Sequence, residues 1–358
     1  MDEPQRAFLE RLLDTPSPSG FEAAGQRIWV DYVGEFADEV RTDAYGNAVA
    51  VYEGSEDGPE LAFAGHADEI GFIVTRIGDE GYEDEGFVNI APIGGSDPTV
   101  TRGQHVEVHT DDGPVNGVIG QVAIHLRDGE DDVDDIAEMY VDVGAEDEAA
   151  ARDLVEVGDP VTFATTLREL DGTRLAARGM DNRVGVWTAA DALRQAAEAG
   201  VDATVYAVST VQEEVGVQGA KMVGFDLDPD AVVAIDVTHA VDAPSVERSK
   251  HGEVEVGEGP VVGRGSANHP VVVQAVREAA EDAGIDVQLQ AAGTRTGTDA
   301  DAFYTQRSGI PALNLSIPNR YMHTPVEVVD TEDLTDAAAL LAAFADHAAE
   351  FDGFSVQV

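Results

Sequence analysis

The chain has 358 residues, 70 of them acidic and 21 basic, for a formal net charge of −49. So large an acidic excess argues against nucleic acid or an anionic membrane as partner, and the absence of cysteine rules out disulfides and thiolate metal ligands. Because 43% of the residues are hydrophobic and fall in recurring runs, a disordered acidic chain is excluded as well.

Lys221 and Lys250 are the only lysines, and the acid is spread along the chain instead of gathered in a tail. That pattern reads as a folded protein with a densely carboxylated surface, suited to a salt-rich cytoplasm where ionic strength screens self-repulsion. The first residues lack a basic stretch followed by an apolar one, and no apolar run approaches membrane-spanning length. A soluble cytoplasmic protein is expected. The length fits two domains, or one enlarged by an insertion.

Residues 4–13 read as a short amphipathic helix, followed by a Pro/Ser/Gly loop at 15–20. Ser19 and Glu22 have the spacing of a capping box, which would open a helix running to about Phe36. Strands are expected at 40–42 and 48–52, and a short buried one at 61–65 delivers His66, Asp68 and Glu69 at its end. From about Gly71 to Leu167 the texture changes to short alternating runs separated by Gly, Pro and Asp, which suggests a small β-barrel or sandwich inserted into an α/β domain. Within it, the acidic run 127–135 reads as a solvated loop; a calcium site there lacks the ligand spacing of an EF-hand.

The α/β texture resumes near Leu175. A helix is expected over 181–199 with Asp181 at its N-cap and Gly200 at its stop. A buried strand at 203–211 then leads into Glu213 and Glu214, and another at 231–235 ends in Asp236. A helix at 269–283, a strand at 286–291, a Gly/Thr loop holding Asp299 and Asp301, and a strand at 312–317 follow. That last strand leads to His323, and a helix at 332–349 closes the chain.

In open α/β sheets ligands bind beyond the carboxyl ends of the strands. His66, Glu213, Glu214, Asp236 and His323 all follow such strands, and Asp181 heads a helix. Two histidines with four carboxylates suit a pair of zinc-like ions. Two such ions about 3.5–4 Å apart can share a hydroxide and polarise a carbonyl, the chemistry of peptide or amide hydrolysis. Of the paired glutamates, one can bind metal while the other faces the substrate as a proton shuttle. Asp68, two residues after His66, is placed to accept from the free imidazole nitrogen. Taken singly, each residue has an ordinary use: Asp181 as a cap, Asp236 as a turn residue, a lone histidine as a surface group. His105, His109, His125, His239, His251, His269 and His347 show no comparable setting, and Asp299 and Asp301 either line a groove or shape a turn.

Five motifs carry a resemblance: His66-Ala67-Asp68-Glu69-Ile70-Gly71-Phe72, Ala177-Arg178-Gly179-Met180-Asp181-Asn182-Arg183, Val211-Gln212-Glu213-Glu214-Val215-Gly216, Ala234-Ile235-Asp236-Val237-Thr238 and Arg320-Tyr321-Met322-His323-Thr324-Pro325. In this order the chain resembles the tetrahedral aminopeptidases, glutamyl-aminopeptidase-like enzymes with co-catalytic zinc. Residues 15–21, the Pro92-Ile93-Gly94-Gly95 turn, 141–145 and 297–299 look similar to family features too. The resemblance implies His66 and Asp236 on one zinc, Glu214 and His323 on the other, and Asp181 bridging. It implies Glu213 as general base and Asp68 as the residue that orients His66. Ala67 and Asn182 depart from many related sequences, at positions that touch the shape around the ligands.

The implied fold is an α/β/α sandwich of the zinc-aminopeptidase type, formed by 1–70 and 166–358, with a β-barrel or PDZ-like insert at 71–165 serving assembly or substrate access. The implied cofactors are two divalent ions per subunit, zinc foremost and cobalt or manganese as substitutes. The implied assembly is a hollow homo-dodecamer built from dimers, with inward-facing sites acting on short peptides. A di-zinc deacylase acting on N-acylated amino acids is the nearest alternative; a non-catalytic scaffold would not need Glu213 beside Glu214.

Overall fold

The computed structural model describes residues 1–78, 85–126, 135–244, 246–248, 252–351 and 353–358. The acidic run at 127–135 therefore lies outside the described residues except for Asp135, whose carboxylate accepts from Ala137 N and caps a short turn. His251 lies outside them as well.

Helices α1 (Glu3–Asp14) and α2 (Ala23–Val33) open the chain. Strands β1 (Glu39–Thr42), β2 (Ala48–Tyr52) and β3 (Glu60–His66) follow, before the chain enters the insert. The insert contains β4 (Gly71–Ile77), β5 (Gly86–Ile93), α3 (Pro98–Thr101), β6 (His105–Thr110), β7 (Gly113–Ile119), β8 (Tyr140–Ala145), α4 (Glu148–Arg152) and β9 (Pro160–Phe163). After it come β10 (Arg168–Glu169), β11 (Arg174–Ala177), α5 (Met180–Ala199), β12 (Thr204–Thr210), α6 (Gln218–Asp226) and β13 (Ala231–His239). The chain ends through β14 (Val261–Arg264), α7 (Pro270–Ala283), β15 (Gln288–Ala291), α8 (Ala300–Phe303), β16 (Ala312–Asn319), β17 (Glu327–Asp330) and α9 (Thr331–His347).

Eight strands form the main sheet in the order β1-β2-β12-β3-β13-β16-β14-β15. Its four central strands, β12, β3, β13 and β16, run parallel, so their carboxyl ends lie along one edge. β3 and β13 are largely apolar runs, as a sheet covered on both faces demands, while β16 buries Asn314 and Ser316 among its apolar residues. One face packs against residues of α1, α2, α5, α7 and α9; the other meets α6 and α8. Helix α5 lies against the sheet with almost no clearance. A β-carbon on Gly65 would come within 2.5 Å of the Gly185 carbonyl carbon, so glycine at 65 lets the helix reach the end of β3, whereas a β-carbon on Gly185 would meet the Asn182 side-chain amide. Trp29 Nε1 fixes that helix further by donating to Val186 O at 2.9 Å.

The insert closes as a barrel in the order β4-β5-β8-β7-β6-β9, which settles the choice between barrel and sandwich. Closure removes the exposed strand edges that such short strands would leave. Its separate core holds Phe72, Val88, Ile90, Val106, Val141 and Val161, the inward halves of the alternating runs. The chain leaves the sheet after His66 and returns through β11 to the start of α5, so both crossings lie beside the same edge.

Two local expectations fail here. The capping box at Ser19 and Glu22 does not form: Glu22 is the N-cap residue of α2 but makes no side-chain cap. Both side chains are drawn to partners distant in sequence. The strand carrying Asp236 runs on to His239, so Asp236 projects from within it instead of following it; its pairing with β16 continues through His239↔Asn319.

Candidate metal centre

Backbone geometry assembles the site. His66 is the last residue of β3, and Glu213 and Glu214 occupy the turn after β12. Asp236 belongs to β13, His323 lies in the connection between β16 and β17, and Asp181 sits in the distorted first turn of α5. Asp181 does not cap that helix, contrary to expectation. It has non-helical φ of −75° and ψ of 102°, its peptide bond to Asn182 is cis, and its carboxylate faces two histidines. The capping contact falls to Asn182, whose Oδ1 accepts from Gly185 N at 2.9 Å while its Nδ2 donates to Ile235 O at 2.7 Å.

His66 Nε2 stands 3.2 Å from Asp181 Oδ1, 3.7 Å from Asp236 Oδ1 and 3.9 Å from Glu213 Oε2. On the other side, His323 Nε2 stands 3.3 Å from Asp181 Oδ2 and 3.6 Å from Glu214 Oε1. Asp181 thus turns one oxygen to each imidazole. Ligand atoms of His66, Asp181 and Glu214 lie within 4.8 Å of one another. Asp181 Oδ1 and Glu214 Oε1 are buried and, among the described residues, have no hydrogen-bond donor. Unsatisfied carboxylate oxygens beside imidazole nitrogens are a donor set for divalent cations of the zinc type. These residues fit a metal.

The electrostatics point the same way. Burial pushes the Glu213 carboxyl up to about 10, and the charges of Asp236, Asp299 and Glu214 add to the effect. Burial, then the Asp181 charge, holds Glu214 well above the carboxylate range. Burial also raises Asp236, against the pull of His66. Asp181 goes the other way: burial opposes its charge, but the His323 and His66 imidazoles beside it prevail and hold it low. Its hydrogen bond raises His323 to about 9. Burial disfavours a charged His66, yet contacts with Asp181 and Asp236 outweigh it and raise that imidazole well above its ordinary value. So many acids cannot ionise together without cations among them.

Asp68 binds the cluster from behind. Its Oδ1 lies 3.3 Å from His66 Nδ1 and accepts from Glu213 N at 3.0 Å. Its Oδ2 accepts from Glu214 N at 3.1 Å and from the Ser19 hydroxyl at 2.6 Å. Glu69, next in sequence, is neutralised separately by Arg178 and Arg183, with Arg183 Nη2 at 2.8 Å.

Sequence reasoning missed Glu327. It is buried, accepts from Asp181 N at 3.0 Å and His323 N at 2.8 Å, and so holds two of the proposed ligands in place by their backbones. Burial, with the Asp181 charge, pushes it to about 8. A carboxylate opening a short buried strand was the available signal. His239, set aside with the unremarkable histidines, lines a cavity of about 300 Å³ together with His66, Asp236 and His323. From the Gly/Thr loop it is Thr296, Gly297 and Thr298 that line this cavity. Asp301 shapes the turn, accepting from Thr296 N and Gly297 N at 2.9 Å, while Asp299 is buried and accepts from the Thr210 hydroxyl at 2.5 Å.

An α/β sheet with a barrel inserted beside its carboxyl edge, and a histidine–carboxylate cluster on that edge, together suit a metal-dependent hydrolase. The M42 glutamyl aminopeptidase model matches residues 46–340, and the chain belongs to that family. A lysyl aminopeptidase of Pyrococcus furiosus is 33% identical over 355 residues, covering 96% of this chain and 98% of that protein. The structure of an aminopeptidase from Desulfurococcus kamchatkensis is similar at a TM-score of 0.88 and 33% identity, with 99% of each chain covered. A Pyrococcus horikoshii peptidase described as assembling into a tetrahedron or a large octahedral shell is similar at a TM-score of 0.83 and 30% identity, over 95% of this chain and 99% of that one. Membership makes this chain a metal-dependent aminopeptidase.

The shifted groups give a pH dependence to the metal-free protein. His323 is raised from 6.5 to about 9, so the stability its charged form contributes is complete below 6.5 and lost as pH rises through about 9. Glu213 is raised from 4.5 to about 10, so its ionisation likewise opposes folding increasingly as pH rises. Chelator-treated protein should therefore show a denaturation midpoint that falls from pH 6.5 to 9, and saturating divalent metal should flatten the decline. A midpoint that rises over this window in the metal-free protein would contradict the assignment of charges.

Proposed function

We propose that two divalent cations occupy the cluster, His66 and Asp236 holding one, Glu214 and His323 the other, with Asp181 shared. The observation that carries this reading is the orientation of Asp181, with its two oxygens at 3.2 Å and 3.3 Å from different imidazoles. Bound there, the cations supply Lewis acidity and lower the pKa of water. Imidazole and carboxylate donors without thiolate favour zinc, with cobalt or manganese as replacements.

The rest is done by the chain. Carboxylates at the cavity attract the cationic free α-amine of a peptide and set its first peptide bond beside Glu213. Glu213 takes a proton from the attacking water as the new C–O bond forms. It then gives that proton to the departing nitrogen as the C–N bond breaks, leaving a free amino acid and a shortened peptide. Asp68 holds His66 from its Nδ1 side and the Glu213–Glu214 turn by two backbone N–H groups.

The same reading makes residues 1–70 and 166–358 the catalytic body, an α/β/α sandwich, and 71–165 a PDZ-like assembly domain. Exposed Val118, Val122, Ile124, Leu126 and Tyr140 on the barrel side support contact with other copies, in a dodecamer built from dimers that admits short peptides to enclosed sites. A net charge of −49 with only two lysines supports a protein of a salt-rich cytoplasm.

Glu213→Gln should keep both metals and lose turnover by about 10²–10⁴-fold, the usual worth of general acid–base assistance. Glu214→Gln should weaken metal binding, because an amide is the poorer ligand. Metal titration of each variant, with assays at saturating metal, separates the roles; metal lost from Glu213→Gln but not from Glu214→Gln would reverse them. For the assembly, sedimentation and activity should persist in molar salt and fail together after dialysis into low-salt buffer. Full activity in a monomer under every condition would refute the dodecamer.

A further inference from the structure

The connection between α1 and α2 reaches the turn that carries the paired glutamates. Glu22 is only 4% exposed, and its Oε1 accepts from Gly20 N at 2.7 Å and from Gln212 N at 3.1 Å. Gln212 has a φ of 56°, in the left-handed region that a side chain with a β-carbon disfavours. Such a conformation persists where the surroundings impose it. Here the N–H groups of three consecutive residues are all accepted by buried carboxylates: Gln212 by Glu22, and Glu213 and Glu214 by Asp68. From α2, Gln26 Nε2 adds a hydrogen bond to Ser209 O at 2.9 Å, one strand position before Thr210.

The turn that follows this left-handed residue presents the two glutamates to different imidazoles. After it, Glu213 Oε2 faces His66 at 3.9 Å while Glu214 Oε1 faces His323 at 3.6 Å. Asp68 also contacts His66, so it serves ligand and turn together. Glu22 has no hydrogen bond to a proposed ligand or to a reacting group; its hold on the turn is the Gln212 N–H. We propose that Glu22 is a positioning residue for Glu213, its carboxylate keeping Gln212 in the conformation that aims the base. This rests on the reading of Glu213 as the base. It assigns Glu22 a task that the capping spacing concealed.

Two variants test it. Glu22→Gln keeps an acceptor oxygen, whereas Glu22→Met keeps the length without one. At saturating metal, Glu22→Met should lose kcat by about 10–100-fold, with KM and metal content close to wild type. Hydrogen exchange in the peptide spanning 211–217 should be faster in Glu22→Met, and Glu22→Gln should behave like wild type in both measurements. Wild-type kcat in Glu22→Met, or equal loss in both variants, would overturn the proposal. If Glu22→Met does not fold, exchange in wild type and Glu22→Gln decides: a protected Gln212 amide in both supports it, and a fast one in either overturns it. Because exchange reads the turn and not the chemistry, a failure of Glu213 as base would show separately, as turnover retained by Glu213→Gln with the amide still protected.

Discussion

Mutual repulsion among buried carboxylates is the constraint on which the rest of this structure depends. Glu213, Glu214, Asp181 and Asp236 converge on two imidazoles at one sheet edge, and nothing in a folded chain brings them there for stability's sake. Among the described residues, the carboxylates that surround them are held by backbone N–H groups and a hydroxyl. Asp68 is satisfied by two backbone N–H groups and a hydroxyl, Glu327 by two backbone N–H groups, Glu22 by two more. Arg178 and Arg183 are spent on Glu69, one residue beyond Asp68. Backbone donors orient carboxylates without competing for them as a lysine or arginine would, and so leave the ligand oxygens for metal.

The parallel sheet makes this convergence possible. Four central strands end along one edge, and the bare Gly65 against the α5 backbone lets that helix bring Asp181 to the same place. The barrel leaves and rejoins the sheet on that edge too, between His66 and Asp181 in the chain. Cavity shape can therefore vary with the insert while the ligand-bearing edge stays fixed, as expected where function resides at connections on a rigid frame.

Much of this was legible because it is periodic. Runs rich in apolar and β-branched residues mark β12, β13 and β16, short alternating runs mark the barrel, and polar residues after the long runs mark the edge. Hidden features were those in which a distant partner overrides a local pattern. Ser19 and Glu22 fit a capping box by spacing, yet Asp68 and Gln212 claim their side chains. Asp181 sits where a cap belongs, but two imidazoles take its carboxylate and Asn182 does the capping. Asp236 was expected beyond its strand and lies inside it, since pairing with β16 continues to His239. Glu327 shows only as a carboxylate heading a short buried strand; its hold on Asp181, far away in the chain, has no local sign. Local motifs also left an aminopeptidase and a deacylase open, because both need the same ligands; membership of the M42 family decides for the aminopeptidase.

The most direct test of the account is the metal stoichiometry and affinity of Asp181→Asn beside wild type, read by titrating chelator-treated protein with zinc or cobalt. If Asp181 gives one oxygen to each of two ions, wild type should take up two per chain, and the single substitution should weaken both. One ion held at full affinity in Asp181→Asn, or uptake of a single ion by wild type, would contradict the shared-carboxylate centre.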